Sequence, residues 1–371
     1  MIYLHVPFCG SFCTYCDFYS EICRSTQAFN EYADAVIAEI RDRRKELEMN
    51  MSAQDAVNTL YIGGGTPSVL PLDVLSRIVG AVTEPAEVTS PFEEFTIEVN
   101  PEDIVEKGSE YVRGLLALGV NRISMGVQSF NDDILRWMNR RHDAGNAVKA
   151  FHILRESGVR NISIDLIFGI SQLTDEIWKD TIEKALELAP EHISAYQLSI
   201  EEGSALAKMV ADGRYVEATD EQCRRLYDIL CQSLRLAGYH HYEISNFAKP
   251  GFEAIHNSAY WRRAPYIGLG PGAHSLSGNV RSWNSQKLPH RNIVTYSRNF
   301  ETLSPEDIRV ERIMLSLRTD KGLETTELYS LADRTVIETL LNEGALELHG
   351  TRIRIPEDRL FTSDEIIREL I

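Results

Sequence analysis

Three cysteines stand within eight residues near the start of the chain: Cys9, Cys13 and Cys16, in the pattern C-x3-C-x2-C behind a short apolar run. Thiolates are soft ligands, and three so close together can grip one compact inorganic centre. A cubane 4Fe-4S cluster has four irons and normally takes four cysteines. Three cysteines leave one iron without a protein ligand, free to bind and activate a small molecule. Zinc held by the same cysteines and His5 is the competing reading. Zinc frameworks, however, usually read C-x2-C in pairs, and His5 falls inside a strand pattern rather than at its end.

Composition narrows the setting. Lys and Arg number 38 against 55 Asp and Glu, a formal charge of −17 over 371 residues. Such a surface repels phosphate backbones and anionic headgroups, so nucleic acid is not an expected partner and any anionic ligand needs a local basic patch. The N-terminus lacks the basic region of a secretory signal, and Pro7 and Cys9 interrupt its apolar run. No apolar stretch reaches the roughly 18 residues of a membrane span. The expectation is therefore the reducing cytoplasm, where clustered cysteines favour a metal centre over a disulfide. The remaining three, Cys23, Cys223 and Cys231, are scattered and read as core or surface thiols.

Strand and helix signals alternate from the first residues onward. Strand patterns cover 2–6, 57–62, 95–99, 122–127, 161–168 and 193–200. Helical patterns follow at 29–40, 72–82, 132–138 with 144–157, 175–188 and 219–237. Strand–helix units in series predict an α/β fold, a partial (β/α)6 barrel whose site lies at the C-terminal strand ends. Cys9 to Cys16 follow the first strand, Gly63 to Gly65 the second, and Gln128 the fourth. Glu98 ends the third, and Asp165 lies within the fifth. All would meet at one mouth. Taken singly, each reads as a turn or cap residue.

Three segments are expected: a barrel over 1–210, an extension over 211–300, and a smaller α+β module over 301–371. In the last, helical patterns lead to a hairpin with its turn near His349 and Gly350, a winged-helix-like order. From Glu301 to Ile371 nine basic residues face sixteen acidic ones. DNA binding by this module is therefore disfavoured, and packing or a lid role is favoured.

The cysteine pattern resembles that of the radical S-adenosylmethionine (SAM) superfamily. Tyr3-Leu-His-Val-Pro-Phe-Cys9, Gly63-Gly-Gly-Thr-Pro67, Glu98-Val-Asn-Pro101, Ser124-Met-Gly-Val-Gln-Ser129 and Asp165-Leu-Ile-Phe-Gly169 narrow the resemblance to oxygen-independent coproporphyrinogen III oxidases and their relatives. It covers nearly the whole chain. It implies a 4Fe-4S cluster on Cys9, Cys13 and Cys16, whose open iron chelates SAM, and an external electron donor. An electron from the reduced cluster would cleave SAM to methionine and a 5′-deoxyadenosyl radical. By position the resemblance also implies SAM contacts at Tyr3, Tyr15, Gly64, Gly65, Thr66, Glu98, Gln128, Arg140 and Asp165.

Two branches of that group differ in sequence. The oxidases carry a fourth cysteine two residues after the third and an arm ahead of the first strand. Here Phe18 occupies that place, and eight residues precede Cys9. The haem chaperone branch carries H-N-x-x-Y-W, and this chain reads His256-Asn257-Ser-Ala-Tyr260-Trp261. An imidazole can ligate haem iron, and aromatic rings suit a porphyrin face. Arg262 and Arg263 could meet the propionates. The same residues would otherwise read as a turn and core aromatics. The resemblance thus implies haem contacts at His256, Asn257, Tyr260 and Trp261, and delivery of haem to acceptor proteins, some of them in membranes. The alternatives are the oxidase, decarboxylating propionates of coproporphyrinogen III, and a radical SAM enzyme on an unrelated substrate.

Anaerobic reconstitution is expected to give about four irons per chain, and Cys13→Ser to abolish the cluster absorbance. One tightly held zinc without iron would reverse the assignment.

Overall fold

The computed structural model describes residues 1–53, 55–84, 92–286 and 296–371. Six parallel strands form the centre: β1 (Ile2–Val6), β2 (Thr59–Gly64), β3 (Glu94–Val99), β4 (Arg122–Gln128), β5 (Ile162–Phe168) and β6 (His192–Gln197). Outside them lie α1 (Thr26–Asp42), α2 (Leu72–Thr83), α3 (Pro101–Ala117), α4 (Ala144–Glu156), α5 (Asp175–Glu187) and α6 (Asp220–Leu236). Five of these begin on a side chain that accepts a backbone N–H: Ser25, Asn100, Asp143, Thr174 and Thr219. Each cap satisfies a donor that the first helical turn leaves unpaired.

The two faces of the sheet differ in chemistry because successive residues of a strand point opposite ways. Leu4, Ile62, Ile97, Met125, Ile164 and Ile193 take the outer face and share one core with the helices. The alternate positions are polar: Tyr3 and His5, Thr59 and Tyr61, Thr96 and Glu98, Arg122 and Ser124, Ser163 and Asp165, His192 and Ser194. They hydrogen-bond across the strands, as Tyr61 does to Glu98, Ser124 to Asp165 and Ser163 to His192. The inside of the curved sheet is therefore a polar lumen.

The α/β architecture with a central parallel sheet stands as expected, and the sheet is larger than six strands. β7 (His240–Glu243), β8 (Asn246–Ala248) and β9 (Ile267–Leu269) extend it to the order β9-β1-β2-β3-β4-β5-β6-β8-β7. β9 runs parallel to β1, whereas β8 is antiparallel to both β6 and β7. Boundaries also shift. β6 stops at Gln197 rather than Ile200, because its partner β5 ends opposite it at Phe168. β2 runs on through Gly63 and Gly64, so these glycines are the strand's end rather than a loop after it.

From Pro305 onward, helices Pro305–Ser316, Thr325–Leu331 and Arg334–Asn342 pack with a three-stranded sheet and a final helix, Ser363–Leu370. This module has its own core around Ile313, Leu340, Ile353 and Ile367. It docks along β7, where Ile244 N–H donates to the Arg318 carbonyl (3.0 Å) and Asp320 N–H to the Tyr242 carbonyl (3.0 Å). Those bonds cover a strand edge that would otherwise offer unpaired backbone groups. Among the described residues, no helix is long and apolar enough to cross a membrane.

Candidate metal and cofactor site

The cysteine loop is seated on the glycine turn after β2. Gly65 N–H donates to the Val6 carbonyl at 2.8 Å, and Thr66 N–H to the Phe8 carbonyl at 2.7 Å. A Cβ on Gly65 would stand 2.7 Å from that carbonyl oxygen and 3.0 Å from Cys9 Sγ. Only glycine lets the two segments meet so closely. Gly64 has φ of +110°, and a Cβ there would strike the His5 ring at 2.7 Å. The glycines thus act first as spacers that set the height of Cys9.

Cys9, Cys13 and Cys16 share one patch. Thr66 Oγ1 donates to Cys9 Sγ (3.5 Å), and Arg140 Nη1 to Cys13 Sγ (3.3 Å). Burial pushes the Cys16 thiol up to about 11, helped by the charges of Cys13 and Cys9. Without a metal, then, burial disfavours the thiolates of Cys9 and Cys16; a cationic centre reverses that preference. Among the described residues, the triad with ligand atoms all within 4.8 Å of one another is Cys231, His241 and Glu357, far along the chain. The three N-terminal thiols do not all lie within that distance of one another. His5 does not complete a zinc site. Its Nδ1 meets the Tyr3 hydroxyl at 3.1 Å and its Nε2 the Tyr19 carbonyl at 2.9 Å.

Arg140 is placed by the cluster loop. One arm is on Cys13, another donates to the Gly126 carbonyl, and its Nε is buried without a partner. Tyr15 packs into the same group, its phenol held protonated by burial. Gln128 ends β4 at a bulge with φ of +68°, a left-handed conformation uncommon for a residue with a side chain. A Cβ at Gly126 would meet its amide Nε2 at 2.8 Å.

Across the mouth lie the carboxylates. Glu98 accepts from the Tyr61 hydroxyl (2.8 Å) and from Gly64 N–H (3.1 Å). Burial raises its pKa to about 7, and the charge of Asp165 adds to the rise. Asp165 accepts from Ser124 Oγ (2.9 Å) and Ser163 Oγ (3.2 Å), and burial raises it too. A carboxyl that burial pushes up to about 7, a second that burial also raises, and an unpartnered guanidinium nitrogen suit a zwitterion bearing an ammonium, a carboxylate and ribose hydroxyls. Tyr3 lines the same wall, its ring 6.1 Å from that of Tyr61. Sequence reasoning missed Tyr61, Ser124 and Ser163; the period-two alternation of polar residues along each strand was the signal for them.

The second motif forms α7 (Ile255–Trp261). His256 is completely buried. Its Nδ1 meets Thr59 Oγ1 at 2.8 Å and its Nε2 the Tyr260 hydroxyl at 3.1 Å. Burial drives its pKa down to about 3, so the ring is neutral. In this arrangement both nitrogens are engaged, and the ring offers iron no free lone pair. Its visible work is to pin α7 against Tyr61, 5.1 Å between ring centroids, and so against the Glu98 end of the lumen. Asn257 is half-buried on the same helix, the Tyr260 ring meets Tyr266 edge-on, and Trp261 faces a cleft on the other side.

Residues 3–185 match the model of the radical SAM superfamily. Heme chaperone HemW of Mycobacterium tuberculosis is 32% identical, with all of this chain and 94% of that protein aligned. The Bacillus subtilis protein of the same name is 34% identical over 86% of this chain and 84% of its own. The chain belongs to the HemW family. A zebrafish relative, radical S-adenosyl methionine domain-containing protein 1, mitochondrial, is 31% identical over 96% of this chain and 82% of its own. Among solved structures, coproporphyrinogen III oxidase (HemN) from Escherichia coli superposes with a TM-score of 0.80, covering 99% of this chain and 89% of its own at 23% identity. That likeness speaks to the fold. Membership of the radical SAM superfamily implies a 4Fe-4S cluster and SAM.

Folding raises the Glu98 pKa, so the folded chain holds this proton more tightly than the unfolded one. The resulting stability is complete below the unfolded value near 4.5 and is lost as pH rises through about 7. In the ligand-free protein, Glu98→Gln is therefore expected to gain urea stability relative to the native chain between about pH 5 and about pH 8. A difference that stays constant with pH would refute the assignment.

Proposed function

We propose that this chain is a haem chaperone that holds a 4Fe-4S cluster on Cys9, Cys13 and Cys16, binds SAM at the mouth of the lumen, and delivers haem to haem-requiring proteins. The observation that carries the reading is the alignment along the full length of relatives named heme chaperones. Phe18 supports it, standing where the oxidases carry a further cysteine and exposed beside the cysteine loop.

The residues divide the work by chemistry. The cluster and SAM, when bound, supply one-electron chemistry. Gly64, Gly65 and Thr66 present backbone to the methionine end of SAM, and Arg140 places a positive charge near its carboxylate. Glu98, Gln128 and Asp165 suit the amino group and ribose, while Tyr3 and Tyr15 give aromatic surface to the adenine. His256, Asn257, Tyr260 and Trp261 build the helix that separates this site from the cleft beside the C-terminal module. On this reading His256 serves haem indirectly, by fixing the helix, and the aromatic residues supply surface. Haem acceptors, membrane-bound ones among them, and an electron donor are the partners, and the cytoplasm is the setting.

Titration of haem into the anaerobically reconstituted protein is expected to give a saturable Soret band at about one haem per chain. Incubation with coproporphyrinogen III, SAM and a reductant is expected to yield no decarboxylated product. Sustained turnover without saturable haem binding would favour the oxidase.

A further inference from the structure

Three side chains that commonly ligate metals meet where α6, β7 and the C-terminal module come together. Cys231 lies in the C-terminal half of α6, His241 on β7, and Glu357 opens the helical turn Glu357–Thr362 of the module. One ligand atom from each lies within 4.8 Å of the other two. His241 Nδ1 stands 4.0 Å from Cys231 Sγ and 3.3 Å from Glu357 Oε1. The group is separate from the lumen and from the cysteine loop.

The spacing suits a single ion. Zinc holds sulfur at about 2.3 Å and nitrogen or oxygen at about 2.0 Å, so a tetrahedral site sets its ligand atoms about 3.3 to 3.6 Å apart. Nδ1 and Oε1 already meet that spacing, and a small turn of the cysteine about χ1 brings Sγ in. The donor set fits as well. A thiol, an imidazole and a carboxylate together suit a borderline ion such as zinc, whereas magnesium and calcium call for oxygen ligands.

His241 is supported as a ligating imidazole is. The Tyr227 hydroxyl donates to the Ile244 carbonyl at 2.9 Å, which leaves its oxygen to accept. His241 Nε2 is 3.3 Å from that oxygen and 3.4 Å from the same carbonyl. With its proton on Nε2, the ring turns the Nδ1 lone pair toward the thiol and the carboxylate. A backbone carbonyl on the second nitrogen is a usual support of a metal-bound histidine. Phe247 stacks on the ring at 4.1 Å between centroids and holds its plane. Without an ion, a protonated ring paired with Glu357 meets the same contacts; the two states differ in whether the sulfur takes part.

Cys231 and His241 are buried, but the Glu357 side chain is 40% exposed, so an ion can enter from the module side. Arg235 competes for Glu357 Oε1 at 3.2 Å. Its side chain is 64% exposed, and so exposed a pair yields to an incoming ion at little cost.

We propose that Cys231, His241 and Glu357 form a zinc site whose fourth ligand is water. Binding replaces the Cys231 S–H bond with a Zn–S bond, the proton passes to solvent, and no oxidation state changes. Two ligands belong to the barrel side and one to the module, so the ion clamps the module onto the β7 edge. The assignment is independent of the haem-chaperone reading.

The test uses the full chain with its 4Fe-4S cluster reconstituted, dialysed first against zinc and then against buffer. Zinc K-edge X-ray absorption reads the zinc surroundings alone, without interference from iron. The native chain is expected to keep one zinc beside about four irons, with a single sulfur at about 2.3 Å and otherwise nitrogen or oxygen neighbours. Glu357→Gln, at a half-exposed position, is expected to bind zinc at least about tenfold more weakly in competition with a chelator. Cys231→Ala is expected to lose the sulfur neighbour. Unchanged iron content in both variants reports an intact fold. A zinc with three sulfur neighbours would place the ion in the cysteine loop and overturn the proposal. Failure of the native chain to retain zinc, or native affinity in Glu357→Gln, would overturn it equally.

Discussion

Everything at the mouth of this sheet depends on a contact between two backbones. The cysteine loop lies on the glycine turn after β2 through the Gly65-to-Val6 and Thr66-to-Phe8 hydrogen bonds. The approach is so close that a single Cβ at Gly65 would occupy the space of the Phe8 carbonyl. This seat fixes Cys9, and Cys9 together with Arg140 on Cys13 fixes the patch that the cluster needs. It also turns the N–H of Gly64 toward Glu98. The candidate metal patch and the carboxylate side of the candidate SAM site are consequently set by one piece of geometry rather than two.

A second constraint is the lumen. Polar residues on the inner face would be costly if unpaired, and most pair with one another. Arg122 is fully buried there, and Glu94 on the neighbouring strand is the leading charge that keeps it protonated against burial. Glu94 also accepts from the backbone N–H groups of Ile255 and His256, the start of α7. The lumen therefore holds the motif helix in place from inside, while Trp261 faces outward to the cleft. The lumen and the cleft lie on opposite sides of one short helix. The rings of Tyr61, His256 and Tyr260 form a packed series between them.

Much of this was legible in the residues themselves. β1, β3, β4 and β5 follow from apolar alternation to within a residue. The spacing of Cys9, Cys13 and Cys16 is read directly from the residues, and the fold brings the three thiols into one patch. The short strands β7, β8 and β9 were not legible, because three or four residues show no period and owe their form to the strands they pair with. Nor was the fate of His256. Its partner Thr59 lies 197 positions earlier, so nothing near the motif signals that both ring nitrogens are taken.

The central claim is a three-cysteine cluster with one iron left open for SAM. Electron paramagnetic resonance of the reduced, reconstituted protein tests it directly. The cluster signal is expected to change its g-values when SAM is added, and the change should be absent without the open iron's ligand. A signal identical with and without saturating SAM would mean that the fourth iron is closed, and would contradict the account.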